Sequence, residues 1–178
     1  MTGAQLATAD PNLVLVPIDI ERDARHGVEW LMGNNGRDTL RKMGVPDEYN
    51  HESTLRAERE RLQKILDNPN ELAWMIQLHD TVIGITEVHT DEFEGLAGPN
   101  IHIMIGDVTA RGKGVGTAVL ERVIDYLRSE KHFETIYSRH LTDNTASASL
   151  LAGLGFIDQG EAYRDNDGLE WQNVIKEN

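Results

Sequence analysis

The sequence predicts an α/β (α+β) fold with about seven strands and about four helices in a single domain, residues 1–178. Short apolar or alternating segments, such as residues 100–107, are typical of strands. Longer segments with apolar residues at helical spacing, such as residues 115–127, lie between them. The composition, 39% hydrophobic and 26% charged, is that of a globular chain long enough to bury a core.

The first part of the chain predicts one strand and two helices. Residues 13–19 are β-branched and apolar with an internal proline, which indicates a strand near a sheet edge. A helix is predicted from Ile20 to about Met32, where the sequence Gly-Asn-Asn-Gly at 33–36 breaks the helical spacing. Residues 37–52 are polar and predict no regular element, and a second helix follows at about 53–66.

The remaining segments alternate between strands and helices. Residues 72–78 and 81–88 flank His79-Asp80, which predicts a hairpin although the turn lacks glycine. A loop is predicted at 91–99, before the strand at 100–107. The helix at 115–127 is followed by a strand at 134–140, a helix at 144–154 and a closing pair of strands at 156–163 and 169–175.

The charge of the chain restricts its partners. A net charge of −13 argues against nucleic acid and anionic lipid, because both bind clustered Lys and Arg. No basic residue lies between Lys64 and Arg111, although this stretch holds many acidic residues. The stretch is either a solvated acidic surface or a surface that attracts a cationic substrate, and the sequence leaves both open.

Missing residue types exclude several other classes. The N-terminus has no basic residue before an apolar run, and no stretch approaches a membrane span, so we expect an unexported, cytoplasmic protein. Without cysteine there is no disulfide, thiolate nucleophile or Cys-based metal site. The seven histidines contain no HxxxH pair, and no metal site is predicted.

A glycine-rich loop, Arg111-Gly112-Lys113-Gly114-Val115-Gly116, begins the helix at 115–127. Backbone N–H groups are unpaired at a helix start, so such a loop can bind phosphate. It is not a Walker loop, because Gly112-Lys113 is followed by Gly rather than Ser or Thr. It is not the dinucleotide fingerprint GxGxxG, because position 117 is Thr.

The same loop fits the pattern Arg/Gln-x-x-Gly-x-Gly/Ala with Arg111, Gly114 and Gly116, and here the chain resembles the GNAT superfamily of N-acetyltransferases. A second segment, from Asn144 through Leu151 to Gly155-Phe156, is similar to the late segment of that family. The two segments span roughly residues 98–160. The resemblance implies a mixed, largely antiparallel sheet of six to seven strands flanked by about four helices.

The resemblance also implies the cofactor and its site. Acetyl-coenzyme A would be the co-substrate, with its pyrophosphate on the glycine loop and its pantetheine arm along the strand at 100–107. The implied cofactor-binding residues are Ile103, Met104, Ile105, Arg111, Gly112, Lys113, Gly114, Val115, Gly116, Thr117, Asn144 and Ser147.

Acetyl transfer to an amine requires a base, a group that stabilises the oxyanion and an exit for the thiolate. Glu87 is the favoured base, with His89, His102 and His140 as other candidates, and backbone N–H groups around Met104 and Ile105 are the implied oxyanion site. The catalytic residues predicted are therefore Glu87 and Asn144, although Asn144 is also a good helix cap.

Leu151 stands where the family often has a tyrosine that protonates the departing thiolate, and Tyr137 and Tyr163 are candidate substitutes. Leu151 and Ser147 bring the chain closest in pattern to ribosomal-protein N-terminal and aminoglycoside acetyltransferases. The expected acceptor is a primary amine on a cationic small molecule, peptide or protein. The alternatives are a non-catalytic coenzyme A-binding module and a module that binds a cationic ligand. The oligomeric state, monomer or homodimer, is left open.

Overall fold

A computed structural model of the chain describes residues 4–46, 48 and 51–178. These residues form nine strands and five α-helices. The strands are β1 (Leu6–Ala7), β2 (Leu13–Val16), β3 (Glu71–Leu78), β4 (Thr81–His89), β5 (Asn100–Ile105), β6 (Ile136–Leu141), β7 (Ile157–Asp158), β8 (Tyr163–Arg164) and β9 (Glu170–Lys176). The helices are α1 (Ile20–Trp30), α2 (Gly33–Lys42), α3 (Leu55–Asp67), α4 (Val115–Ser129) and α5 (Thr145–Gly153).

All nine strands belong to one sheet, in the order β1-β2-β3-β4-β5-β6-β9-β7, with β8 also paired to β9. Every neighbouring pair is antiparallel except β5 and β6, which are parallel. The mixed, largely antiparallel α/β class predicted from the sequence is confirmed. The strand count is higher than expected for two reasons. Strand β1 was not predicted, and the strand predicted at 156–163 is divided into β7 and β8, both paired with β9.

Two hydrophobic clusters cover the two faces of the sheet. On one face, residues of α4 and α5, including Val119, Val123 and Leu151, pack against Ile101 and Val174. The other face packs against α1 and α3 through Ala24, Leu62, Ile85 and Met104, and we call it the α1/α3 face. Within each strand, side chains alternate between these two faces.

The hairpin between β3 and β4 forms around His79-Asp80 as predicted. His79 has φ +50°, so it takes the left-handed conformation that glycine usually provides in such turns. The pairing of the two strands shifts at Ile76/Gln77, leaving Ile83 as an extra residue in β4. The carbonyl of Ile83 accepts hydrogen bonds from both Gly106 and Asp107, so this bulge fixes the point where β5 ends.

The prediction for residues 33–52 was wrong in its first part, because residues 33–42 form helix α2 rather than a break and a polar segment. Gly36 does not end a helix. A Cβ built at Gly36 would lie 2.2 Å from the carbonyl oxygen of Leu31, so glycine lets α1 and α2 approach closely at their junction. Residues 47, 49 and 50 of this segment lie outside the described residues.

The acidic stretch between Lys64 and Arg111 does not form one surface. Glu71 is buried and Glu87 is half-buried, both on the α1/α3 face. Asp80 is exposed in the β3–β4 turn, whereas Asp91 and Glu92 are exposed beyond the opposite end of β4. The fold therefore divides these charges among separate regions.

Candidate functional site

The sheet opens between β5 and β6. The two strands pair only at Asn100 and Tyr137, where the Tyr137 N–H donates to the Pro99 carbonyl at 2.8 Å. Beyond this point no register pair joins the two strands among the described residues. The Ser138 hydroxyl still donates to the Ile101 carbonyl at 2.9 Å. A cleft therefore begins just beyond Asn100 and Ile101 and opens toward the end of β5.

The edge of β5 that lines this cleft carries backbone groups able to bind a ligand. Hydrogen bonds of an antiparallel pair alternate along each strand, and Gly106 bonds to β4. Ile103 and Ile105 consequently direct their N–H and carbonyl groups into the cleft, whereas Met104 directs its own toward β4. Of the backbone N–H groups near Met104 and Ile105 that were predicted to stabilise the oxyanion, those of Ile103 and Ile105 face the cleft and that of Met104 does not.

The glycine loop lies at the wide end of the cleft. A short 3-10 helix, Val108–Ala110, leads into it, and Gly112 and Gly114 have φ +70° and +80°. The backbone N–H groups of residues 112–117 have no hydrogen-bond acceptor in the described part of the chain. Six adjacent donors at the start of α4 thus face solvent or the cleft, in the arrangement that binds a phosphate group.

The side chain of Arg111 does not point to these donors. Its Nε donates to the Ile105 carbonyl and one terminal nitrogen donates to Thr39 Oγ1, both at 2.8 Å. Arg111 therefore links the loop to the end of β5 and to α2. Lys113 is exposed and makes no ion pair with a described residue, so its ammonium group is available to an anion.

Helix α2 covers the cleft on the α1/α3 face. It contacts the loop through Thr39, while Arg41 pairs with Asp143 at 3.1 Å just before α5. A Cβ at Gly44 would lie 2.3 Å from the Trp171 ring, so the end of α2 also packs closely against β9. Helix α2 was not predicted from the sequence, although Thr39 and Met43 lie four residues apart, as on one side of a helix.

Asn144 caps α5. Its Oδ1 accepts from the Ser147 N–H at 3.2 Å, and its amide nitrogen donates to the Lys42 carbonyl at 3.3 Å. Asn144 therefore joins the end of α2 to the start of α5 as well as forming the cap. Ser147 lies in the first turn of α5, half-buried.

Leu151 lies in the core, with 3% of its surface exposed. It lines a cavity of about 310 Å³ between α5 and strands β6 and β9, together with His140 and Thr142. The neighbouring Leu150 comes within 3.2 Å of a Cβ built at Gly116, so α4 and α5 meet at this glycine. Leu151 itself has no side-chain proton to donate, and the titratable residues that line the same cavity are His140 and Asp158.

Glu87 lies on the α1/α3 face beside the cleft, directly opposite His102 of β5. Its carboxylate accepts from Arg61 at 3.0 Å, and its side chain is 22% exposed. Arg61 also donates to Glu58, so one guanidinium serves two carboxylates. Glu71, Glu87 and His89 bring ligand-type atoms within 4.8 Å of one another, a group that could also hold a metal ion.

The histidines beside Glu87 are held neutral. Burial, with His89 and Arg139 nearby, lowers the pKa of His102 to about 3. Burial also lowers the pKa of His89, against the opposing effect of nearby carboxylates. For Glu71, burial and the charge of Glu87 raise the pKa. Glu87 is therefore flanked by two neutral imidazoles.

The other predicted residues are distributed around this centre. Tyr163 accepts a hydrogen bond from Arg139 at 3.2 Å, and Tyr137 is half-buried on β6. His140 lies on the opposite face of the sheet from Glu87, near Leu151. The structure thus brings Glu87, His89 and His102 together and separates His140 from them.

Within the described residues, no helix has both the length and the apolar character required to cross a bilayer.

A family model described as an acetyltransferase (GNAT) domain matches residues 12–157. No curated protein sequence matches the chain. Among solved structures, the fold is similar to RimL, a ribosomal L7/L12 α-N-protein acetyltransferase in complex with coenzyme A. That comparison has a TM-score of 0.78 and 13% identity, covering 97% of each chain.

Two further structures have the same fold. The microcin C7 self-immunity acetyltransferase MccE, in complex with acetyl-CoA and AMP, has a TM-score of 0.76 and 14% identity, covering 94% of this chain and 93% of that one. The spermidine N-acetyltransferase from Vibrio cholerae, in complex with CoA and spermine, has a TM-score of 0.73 and 17% identity, covering 94% and 96%.

Proposed function

Given that the chain belongs to the GNAT acetyltransferase family, and so is an acetyl-CoA-dependent acyltransferase, we propose that it acetylates a primary amine of a cationic acceptor. The observation that carries the proposal is the run of unpaired N–H groups at residues 112–117, beside a sheet that opens between β5 and β6. The acceptor centre lies next to this opening, around Glu87.

In this proposal the glycine loop binds the pyrophosphate of the coenzyme and strand β5 binds its pantetheine arm. The N–H groups of Gly112 to Thr117 bind the pyrophosphate, aided by the positive end of the α4 dipole and by Lys113. The pantetheine arm lies along β5, where its amides pair with the groups of Ile103 in the manner of an added strand. Arg111 and Asn144 contribute indirectly, by holding the loop and α5 against α2.

The amine must lose a proton before it attacks. For an amine with a pKa of ~10.4, deprotonation at pH 7 costs about 4.6 kcal/mol, at ~1.36 kcal/mol per pH unit. We assign proton removal to Glu87, directly or through a water molecule, with Arg61 fixing its orientation. The neutral His89 and His102 beside it add no positive charge that would repel an ammonium group.

The remaining steps use the strand edge and solvent. The amine nitrogen bonds to the thioester carbon, and the resulting oxyanion accepts from the Ile105 N–H, which faces the cleft. The nitrogen, now positively charged, loses its second proton to water. The carbon–sulfur bond then breaks and the electron pair leaves on the sulfur. Because Leu151 provides no proton, the thiolate leaves as such or takes a proton from water, which a thiol pKa of ~8.5 permits.

The acceptor class rests on charge and on the relatives. The chain has a net charge of −13, which favours approach of a cation. The similar structures include acetyltransferases named for a ribosomal protein N-terminus and for spermidine, both amine acceptors. The exposed acidic residues at 91, 92 and 94 lie near the narrow end of the cleft and are the local source of this attraction.

The test is release of free thiol from acetyl-CoA by the purified protein with polyamines, aminoglycosides and short peptides as acceptors. We expect acceptor-dependent release, and mass spectrometry of the product should show one added acetyl group. Binding of acetyl-CoA without release by any amine would instead favour a non-catalytic coenzyme A-binding module, which the burial of Leu151 makes a specific second candidate.

A further inference from the structure

Six buried side-chain polar atoms lack a hydrogen-bond partner among the described residues, and four of them lie close together on one face of the sheet. Such atoms are rare in native proteins, and a group of them calls for an explanation. The four are Asn100 Oδ1, His102 Nε2, Arg139 Nε and Asn173 Oδ1, and we call them the orphan cluster.

The register places all four on the α1/α3 face. Asn100 and His102 share this face of β5 with Met104, which packs in the α1/α3 cluster. Asn100 lies opposite Tyr137 of β6, so Arg139, two residues on, has the same orientation. Asn173 of β9 lies directly opposite Arg139.

The orphan cluster adjoins the proposed reaction centre. His102 is the cross-strand partner of Glu87, and Asn100 marks the narrow end of the cleft. A molecule whose amine reaches Glu87 would therefore place its adjoining atoms against these four groups. The positions of these four groups are therefore those expected of a site that binds part of the acceptor.

The chemistry of the orphan cluster selects an uncharged partner. Asn100 donates its amide nitrogen to the Phe93 carbonyl at 3.3 Å, which leaves Oδ1 as an acceptor turned to the cluster. Asn173 Oδ1 is a second acceptor, and the neutral imidazole of His102 either accepts or donates at Nε2. The positive charge of Arg139 is already paired with Glu94, and its Nε–H has no acceptor among the described residues.

We propose that the orphan cluster recognises an uncharged hydrogen-bonding group, a hydroxyl or a carboxamide, carried next to the reacting amine of the acceptor. Asn100, His102, Arg139 and Asn173 are then specificity-determining residues. This inference rests on the proposed function and adds to it the chemistry of the acceptor's second contact point. A hydroxyl or amide both donates and accepts, which complements two acceptor oxygens and one donor nitrogen.

Access to the orphan cluster is controlled by the loop between β4 and β5. Phe93 stacks on His89 with ring centroids 3.6 Å apart and contacts His102 edge-on. Glu94, at φ +53°, forms the ion pair with Arg139. Asp91, Glu92 and Gly95 are exposed, whereas Leu96 is buried with 2% of its surface exposed. The stack, the ion pair and the buried Leu96 therefore hold this loop against the orphan cluster.

The experiment compares acceptors that carry the proposed group with apolar analogues that lack it. Glucosamine is paired with cyclohexylamine, and alaninamide with 3-methyl-2-butylamine, in which an isopropyl group replaces the carboxamide. The first pair tests a sugar-like source and the second a peptide-like source. The variant is Asn173→Leu, with Asn173→Asp retaining the acceptor oxygen and Gln172→Leu as a control on the same strand but the opposite face.

We expect at least one polar acceptor to have a higher kcat/KM than its apolar analogue, and Asn173→Leu to reduce that preference roughly 10- to 100-fold. Asn173→Asp should retain most of it, and Gln172→Leu should leave it unchanged. Affinity for coenzyme A, measured by calorimetry, should be equal in all four proteins and verifies that each is folded. An equal loss for polar and apolar acceptors, or no preference in the parent protein, would overturn the proposal.

A second measurement covers a protein that shows no turnover. The imidazole ¹⁵N signals of His102, assigned with His102→Gln, are followed in the coenzyme A complex while glucosamine or alaninamide is added. A shift that cyclohexylamine does not produce supports the recognition site even without acetylation. Signals that no amine moves would show that internal water alone occupies the orphan cluster, whereas failure to bind coenzyme A would refute the proposed function instead.

Discussion

Replacement of Gly114 by alanine tests the pyrophosphate cradle most directly. Gly114 has φ +80° and immediately precedes α4, and a Cβ built there meets no atom within 4 Å. The substitution therefore creates no clash, and its cost is that of placing an L-residue in the left-handed region, about 1–2 kcal/mol. Relief of that strain rotates the backbone at the centre of the six unpaired N–H groups.

A matched control separates strain from ligand binding. Gly168, in the turn between β8 and β9, has φ +78° and also has no atom within 4 Å of a built Cβ. Gly168→Ala should therefore cost the same stability, which is about 2–8 °C in melting temperature for a domain of this size. Only Gly114→Ala should disturb coenzyme A binding.

The expected magnitude follows from the contacts at stake. A hydrogen bond to a charged group contributes about 1.5–3 kcal/mol, so loss of one N–H to phosphate contact weakens binding about 10- to 100-fold. Isothermal titration calorimetry with coenzyme A measures this in both variants, and Gly114→Glu should abolish binding altogether. Equal affinities for Gly114→Ala and Gly168→Ala, at equal melting temperatures, would refute the cradle.

Three more predictions concern residues with different tasks. Glu87→Gln should reduce kcat/KM for amine acetylation about 100-fold or more, measured by thiol release, while calorimetry should show an unchanged affinity for coenzyme A. Full activity of this variant would exclude Glu87 as the base. A lysine at position 111 cannot reach both the Ile105 carbonyl and Thr39, so Arg111→Lys should lower both the melting temperature and the affinity for coenzyme A. Thr39→Val removes only one of these hydrogen bonds and should have the smaller effect, and a larger effect of Thr39→Val would contradict this role of Arg111. Because burial lowers the pKa of His102 from 6.5 to about 3, the unfolded chain binds one more proton between these values, and the free energy of unfolding should fall as pH decreases through this range. Urea denaturation between pH about 4 and about 7 should show a shallower dependence for His102→Gln, and an unchanged slope would argue against a neutral, buried imidazole.

The sequence predicted the parts of the molecule whose signal is local. Helix α4, the hairpin of β3 and β4, and strand β5 follow from periodicities that a few adjacent residues determine. The loop at 111–116 was identified because its glycines precede an amphipathic helix, and its geometry depends on backbone angles that few other residues adopt. These features give the fold class and family without knowledge of any distant contact.

The sequence did not predict the features that depend on packing between elements. Gly36 was interpreted as a break because isolated glycine weakens a helix, but packing against Leu31 makes glycine necessary inside α2. Nothing in the sequence indicated that the Arg111 side chain donates to Ile105 and Thr39. The acidic run from 67 to 107 looked uniform along the chain, but alternation and turns distribute it over several surfaces.

What the sequence alone determined, then, is the order of most elements from β2 onward, the glycine loop and the family, because each depends on short-range pattern. The opening between β5 and β6, the cover formed by α2 and the pairing of Glu87 with Arg61 were decided only by tertiary structure. The orphan cluster belongs to the same category, since its four residues come from three strands between positions 100 and 173. Strand register brings such side chains together, and register is a property of the whole sheet rather than of any segment.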